Sequence, residues 1–181
     1  LSVYKGTRPY KRYAFSDTGI SPLAFAPYPG ITIKVNSYEH DEYGITTEDP
    51  GITMLMQEKR LRKENHLREE LKDYQQVNIY GNQESPIALL CWGSNKGVCL
   101  EVAERLKLKV IQPVVLWPFP QEEFAKDALG AKRIICVENN ATAQLAQLVN
   151  MHGVKVDEKI LKYDGRAFFV DELEERIKKI I

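Results

Sequence analysis

Three short groups of residues in this 181-residue chain have types and spacings that bear on chemistry. The first is Gly93-Ser94-Asn95-Lys96-Gly97, placed between an apolar run and a helical pattern. Such a turn can offer free backbone N–H groups and the Lys96 ammonium to an anion. It has neither the G-x-x-x-x-G-K-[ST] spacing nor the third glycine of a dinucleotide fingerprint. A tight turn with Ser94 or Asn95 as cap is the simpler reading. The second group, Glu138-Asn139-Asn140-Ala141-Thr142, stands in the same relation to a later apolar run and helix. The third, Glu39-His40-Asp41-Glu42-Tyr43-Gly44, gathers carboxylates around an imidazole, as an acid/base pair or a metal site would. Consecutive side chains point to alternate sides, however, whereas a metal needs donors converging from one face. A loop braced by Asp41 or Glu42, or an interface, is therefore expected there. Tyr163-Asp164-Gly165-Arg166 reads as a turn after a strand, and His66 and His152 as surface residues. Cys91, Cys99 and Cys136 form an odd set without C-x-x-C spacing. That excludes a disulfide framework, and any cluster or zinc site built from this chain's thiols alone.

These turns are positioned by a repeated strand-turn-helix pattern that begins after Gly81. Continuous apolar runs at 86–92, 108–117 and 133–138 predict strands buried on both faces of a parallel sheet, with a fourth strand at 155–164. Pro113 suits a bulge or a strand end. Helices are expected over 98–106, over 121–129, from the cap at Asn140 or its neighbour to Gly153, and from a cap at Asp171 to Ile180. The fold class is α/β, an open, mainly parallel twisted sheet with helices on both faces. In such a sheet ligand-competent residues collect beyond the carboxyl ends of the strands. The turns at 93–97, 118–120 and 139–142 all fall on that edge.

Ahead of this domain (77–181) the pattern predicts a charged helix (52–76) and a Gly- and Pro-rich stretch (1–51) with a short strand at 31–37. Glu58–Arg62 and Glu64–Arg68 are i,i+4 pairs in the favourable order. Across 57–73 six cations meet five anions, which describes a solvated helix face rather than a nucleic-acid helix. Residues 1–13 hold Lys5, Arg8, Lys11 and Arg12 without an acid, interleaved with Tyr4, Tyr10 and Tyr13. A phosphate-bearing partner would suit that strip, although an irregular linker arm is the plainer expectation. Lys plus Arg (25) equals Asp plus Glu (25), which disfavours a basic nucleic-acid binder. No apolar run approaches the roughly 20 residues of a membrane span, so a cytoplasmic, reduced setting without membrane or nucleic-acid partners is expected.

Taken in order, KRYAFSDTGISPLAFAP (11–27), VNSYEHDEYGITTED (35–49), EKRLRK (58–63), WGSNKG (92–97), WPFP (117–120), VENNATAQLA (137–146) and ILKYDGRAF (160–168) resemble one family. It is the C-terminal part of the alpha subunit of 2-oxoacid:ferredoxin oxidoreductases, the two-subunit type that includes the 2-oxoglutarate enzyme. WGSNKG and WPFP also resemble the C-terminal domain of transketolase-like enzymes. The resemblance implies oxidative decarboxylation of a 2-oxoacid to an acyl-CoA with reduction of ferredoxin. It further implies a holoenzyme using thiamine diphosphate, Mg2+ and an iron–sulfur cluster, none bound by this chain alone. EHDEYG looks most like the 2-oxoglutarate branch. Family alpha subunits are much longer, so a piece of such a subunit, inactive alone, is expected. Its partners would be the remaining alpha-subunit domains and the beta subunit, with ferredoxin and CoA as partners of the holoenzyme. No catalytic, cofactor or metal residue is expected here. The expected interface or ligand-edge contacts are His40, Asp41, Glu42, Ser94, Asn95, Lys96, Asn139, Asn140, Thr142 and Arg166. The competing expectation is a free-standing α/β module that binds an anion or nucleotide at the GSNKG turn.

Overall fold

The computed structural model describes residues 2–6 and 9–181, and the chain divides into two compact units, 1–73 and 74–181. In the first unit Asp49 caps helix α1 (Pro50–Leu71), accepting the Ile52 N–H at 2.8 Å, with Pro50 in the first turn. That cap and the proline start the helix two residues earlier than apolar spacing alone predicts. Glu64 and Arg68 pair at 2.7 Å, while the Glu58–Arg62 pair is not among the ion pairs of the described residues.

The expected strand at 31–37 and the expected loose arm are both replaced by packing around tyrosines. Tyr4, Tyr10 and Ala24 form a small buried core against Ile31 and Ile33. Val3 pairs with Leu23, and Tyr4 N–H donates to the Leu23 carbonyl at 3.0 Å. The Tyr10 hydroxyl accepts the Ala24 N–H (3.2 Å), and the Tyr13 hydroxyl accepts the Asn36 N–H (3.1 Å). Side-chain oxygens thus satisfy backbone donors that a strand ladder would otherwise have taken. Arg8 lies outside the described residues. The helix belongs to the same compact unit as these loops, where a separate connecting helix was expected.

The second unit is the expected α/β fold. Strands β1 (Val77–Gly81), β2 (Ile87–Leu90), β3 (Lys109–Pro113), β4 (Arg133–Glu138) and β5 (Glu158–Leu161) form one sheet in the order β1-β3-β2-β4-β5. All pairings are parallel except β1 on β3. Sequence periodicity missed β1, a five-residue edge strand whose Asn78 and Gly81 dilute the pattern. Helices α2 (Lys96–Leu106), α3 (Gln121–Ala128), α4 (Gln144–Met151) and α5 (Val170–Lys178) connect and follow the strands. Alternate residues of each strand feed two cores. Leu90, Ile111, Ile134 and Cys136 pack with Phe124 and Val149 of α3 and α4. Leu89, Val110, Ile135 and Val137 pack with Val102, Leu173 and Ile177 of α2 and α5. Pro113 ends β3, and Gly153 (φ +85°) closes α4 with its N–H on the Asn150 carbonyl at 3.1 Å. Asp171 is not the cap of α5. It sits in the first turn, after the cap Phe169, and pairs with Arg105 at 3.1 Å. No helix among the described residues is long and apolar enough to cross a membrane.

Gly81 joins β1 to the rest of the sheet at φ +71°, where a Cβ would stand 2.4 Å from the Leu108 carbonyl oxygen. Gly81→Ala should lower unfolding stability by about 2 kcal/mol or more, since both the φ and the contact are penalised. Urea denaturation followed by circular dichroism checks this, and an unchanged midpoint would contradict the close approach.

Candidate functional site

Strand β2 leads through α2 to β3 on one side, and β4 leads through α4 to β5 on the other. Their connections diverge at the carboxyl edge and open a crevice between them, as expected at a topological switch point. Its volume is about 310 Å³, and its lining is Trp92, Gly93, Ser94, Asn95, Asn139, Asn140 and Gln144. Ser94 and Asn95 come from a single 3₁₀ turn (Gly93–Asn95) that runs directly into α2. Asn95 is buried and donates to the Val137 carbonyl at 3.4 Å, tying this turn to β4. Asn139 donates to the carbonyls of Lys162 (3.4 Å) and Arg166 (3.3 Å), tying the same edge to the turn after β5. The Arg166 guanidinium itself pairs with Asp164.

Beneath the crevice lies a residue that the sequence reading quoted but did not single out. Glu138, the last residue of β4, has no solvent exposure, and its carboxylate accepts four hydrogen bonds. Leu145 N–H (2.8 Å) and Ala146 N–H (3.0 Å) donate from the first turn of α4. Asn140 Nδ2 (2.7 Å) and the Cys136 thiol (3.2 Å) donate from either side in sequence. A helix N-terminus is an anion site, and here the chain's own carboxylate occupies it. Asn140 is not the cap residue itself. Its Oδ1 accepts the N–H groups of Thr142 (3.1 Å) and Gln144 (3.3 Å), which holds the turn over Glu138. The cap position is Ala143, in the left-handed region at φ 55°. The signal available in sequence was an acid closing an apolar strand six residues before a helix.

Lys96 does not line the crevice. Its ammonium lies 4.7 Å from the Tyr80 ring centroid, over β1. The anion or nucleotide module at the GSNKG turn therefore lacks one of its two supports, because the Lys96 ammonium is turned to the Tyr80 ring and not to the crevice. The three cysteines are buried in the sheet cores. A hydrogen bond with Cys91 and then burial push the Cys99 thiol up, while burial and then the Glu138 charge push Cys136 up. Thiols so held are poor metal ligands and nucleophiles.

In the first unit the loop at 38–46 is braced as expected. Asp41 Oδ1 accepts the N–H groups of Tyr43 and Ile45, both at 2.9 Å. Glu42 binds the Lys11 ammonium at 2.7 Å and the Phe15 N–H at 2.8 Å. Burial works to raise the Glu42 pKa, but Lys11 and the Phe15 N–H outweigh it and the net direction is down. His40 is buried, with its Nδ1 on the Tyr38 carbonyl at 2.6 Å and its ring 3.9 Å from that of Tyr13. Glu39, the first residue of the same group, forms a two-pronged pair with Arg60 at 3.0 and 2.5 Å. That guanidinium brings its carboxyl down to about 2. The expected contacts therefore fall into two sets. His40, Asp41 and Glu42 belong to the first unit, while Ser94, Asn95, Asn139 and Asn140 meet in the crevice of the second.

No family profile matches the chain. It is 37% identical over 182 residues to 2-oxoacid:ferredoxin oxidoreductase 1, subunit alpha, of Sulfurisphaera tokodaii, covering 99% of this chain and 29% of that protein. It is 34% identical over 187 residues to the 2-oxoacid:ferredoxin oxidoreductase subunit alpha of Saccharolobus solfataricus, covering 100% of this chain and 29% of that protein. Among solved structures it resembles the 2-oxoglutarate:ferredoxin oxidoreductase from Magnetococcus marinus with 2-oxoglutarate, coenzyme A and succinyl-CoA bound. That likeness has a TM-score of 0.68 and 27% identity, over 98% of this chain and 32% of that one.

Two outcomes test this geometry. Glu138→Gln places an amide NH2 against one of the two helix N–H donors, and should cost about 2–4 kcal/mol in unfolding free energy. A cost near zero by chemical denaturation would show that the carboxylate is dispensable. Glu39 contributes stability that is complete above its ordinary value of 4.5 and is lost as pH falls toward about 2. Thermal unfolding of Glu39→Gln against the parent should therefore converge across that window, and a constant difference would contradict the pairing.

Proposed function

Because the chain belongs to the 2-oxoacid:ferredoxin oxidoreductase alpha-subunit family, we propose that it is a structural and assembly portion of such a subunit. The whole enzyme would convert a 2-oxoacid, coenzyme A and oxidised ferredoxin to acyl-CoA, carbon dioxide and reduced ferredoxin, in the cytoplasm. The observation that carries the reading is similarity running through the whole chain, both units included, at 34% and 37% identity. The likeness to a 2-oxoglutarate enzyme favours 2-oxoglutarate as substrate.

Thiamine diphosphate, Mg2+ and an iron–sulfur cluster, which the family implies, do not fit the residues of this chain. Its thiols are packed into the sheet cores and pushed away from the thiolate. The α4 N-terminus, where a phosphate would otherwise be received, holds Glu138. No group of three or more His, Cys, Asp or Glu among the described residues is arranged to hold a metal. We therefore assign those groups to the remaining alpha-subunit domains and the beta subunit. This chain's part is to present rigid surfaces to them: the braced loop around His40, Asp41 and Glu42, and the edge carrying Ser94, Asn95, Lys96, Asn139, Asn140, Thr142 and Arg166. The Asn139 and Asn140 carboxamides, already tied to the backbone on one side, suit a partner's main chain on the other.

The test uses the full enzyme. Asp41→Ala with Glu42→Ala removes the groups that fix the 38–46 loop, and should weaken alpha–beta association by about tenfold. Analytical ultracentrifugation of the purified subunits, with turnover on a 2-oxoacid, measures it. Unchanged assembly and unchanged rate would refute the role.

A further inference from the structure

Residues 31–35, Ile-Thr-Ile-Lys-Val, have the composition of a strand, yet no strand forms there. Their burial still alternates as a strand's does. Ile31 and Ile33 pack on the tyrosine core, while Thr32 and Lys34 are exposed. The Tyr13 hydroxyl serves the Asn36 N–H at 3.1 Å and the Asn36 carbonyl at 3.5 Å, but that device reaches no further back along the chain. No backbone group of 31–35 makes a hydrogen bond among the described residues. None of the five residues is buried, so water can reach these groups. They form an open edge of the kind on which an added strand pairs. A groove of about 560 Å³ lies against this edge, lined by Ile31, Thr32 and Lys34 and by Tyr10, Tyr43 and Ile45 from the loops beside it. The lining is set in place, because Asp41 holds the Tyr43 and Ile45 N–H groups and the Tyr10 hydroxyl accepts the Ala24 N–H. Val35 and Ile45, 69% and 52% exposed, add apolar surface that a strand's side chains would cover.

Charge and chain length select the occupant. Lys34 has no ion pair among the described residues. An edge lysine opposes pairing with a second copy, which would bring two ammonium groups onto one ladder. A strand with a carboxylate beside Lys34 gains what a copy would lose. The chain spans 29% of the length of each of the two relatives above, so most of a relative's subunit lies outside the matched portion. A segment tied to the same polypeptide meets this edge at an effective concentration on the order of millimolar, which a free partner does not reach. We propose that residues 31–35 receive a β-strand from the portion of the alpha subunit outside this chain, with an acidic side chain beside Lys34 and apolar ones over the groove. The inference rests on the reading of the chain as part of such a subunit.

Residue-resolved hydrogen–deuterium exchange tests it, on the intact chain and on the full-length alpha subunit, with and without the beta subunit. In the intact chain the five amides should exchange at the rate of an unstructured peptide. In the alpha subunit alternate amides should slow by about 100-fold or more, because neighbouring N–H groups of a strand point to opposite sides. Lys34→Glu, at an exposed position, should reduce that protection by about fivefold and leave the circular dichroism spectrum of the intact chain unchanged. No slowing in the alpha subunit, equal slowing of all five amides, or slowing that appears only with the beta subunit would overturn the proposal. Protection indifferent to Lys34→Glu would do the same. Exchange is read on the alpha subunit whether or not it assembles. An assembled, active enzyme whose 31–35 amides stay fast would sink the strand and leave the assembly role standing. Alternate protection in an alpha subunit that binds no beta subunit would support the strand and sink the assembly role alone.

Discussion

The Glu138 carboxylate is the constraint from which the second unit's functional edge follows. A carboxylate without solvent exposure carries a desolvation penalty of several kcal/mol, and no cationic side chain among the described residues pairs with it. Four donors do, two of them the leading N–H groups of α4. Those donors would otherwise be orphaned at the helix start, so one group resolves two costs. Because the same carboxylate also holds Asn140, the turn after β4 is fixed in shape. Asn140 in turn accepts the Thr142 and Gln144 N–H groups. The Asn95, Asn139 and Asn140 amides of the crevice wall are therefore preset. The crevice is also closed to the anion that such a helix end would ordinarily attract.

The first unit solves a different problem with the same economy. Its described residues form one helix and no strand ladder, so the loops need other partners for their backbone groups. Tyrosine hydroxyls at Tyr10 and Tyr13, the Asp41 and Glu42 carboxylates and the Asn36 amide supply them. Tyr10, Tyr13, Glu42 and Asn36 also pack or pair on their other side. That is why a Gly- and Pro-rich stretch can present a rigid surface.

How much of this was legible in the sequence depends on what kind of interaction made each element. Strands β2, β3 and β4 were legible because a strand buried on both faces must be continuously apolar. The helices of the second unit were legible because their faces repeat, though their caps were not. Asp171 was a plausible cap until Arg105 claimed it, and Asn140 shared its task with Glu138, which no local rule placed at the α4 N-terminus. The first unit was read worst. Tyr4, Tyr10 and Tyr13 looked like the interleaved aromatics of an arm, and Ile31 and Ile33 like one face of a strand. Both groups are held by contacts 12 or more positions apart in sequence, which periodicity does not encode. Of the candidate contacts, residue type sufficed to mark Asp41 and Glu42, which brace their loop, and Ser94, Asn95, Asn139 and Asn140, which line the crevice. The place of Lys96 was not legible, because the Tyr80 ring beneath it sits on β1, a strand that periodicity does not reveal.

The buried charges of the second unit bear on what its edge can do. Glu138 is surrounded by donors, and the buried lysines have oxygens within hydrogen-bond range. Those charges are complete within the chain and serve to specify its shape. An edge whose buried carboxylate is already satisfied meets a partner through neutral amides that the fold holds in place, and a second anion gains little there. The crevice has drawn its own anion from within.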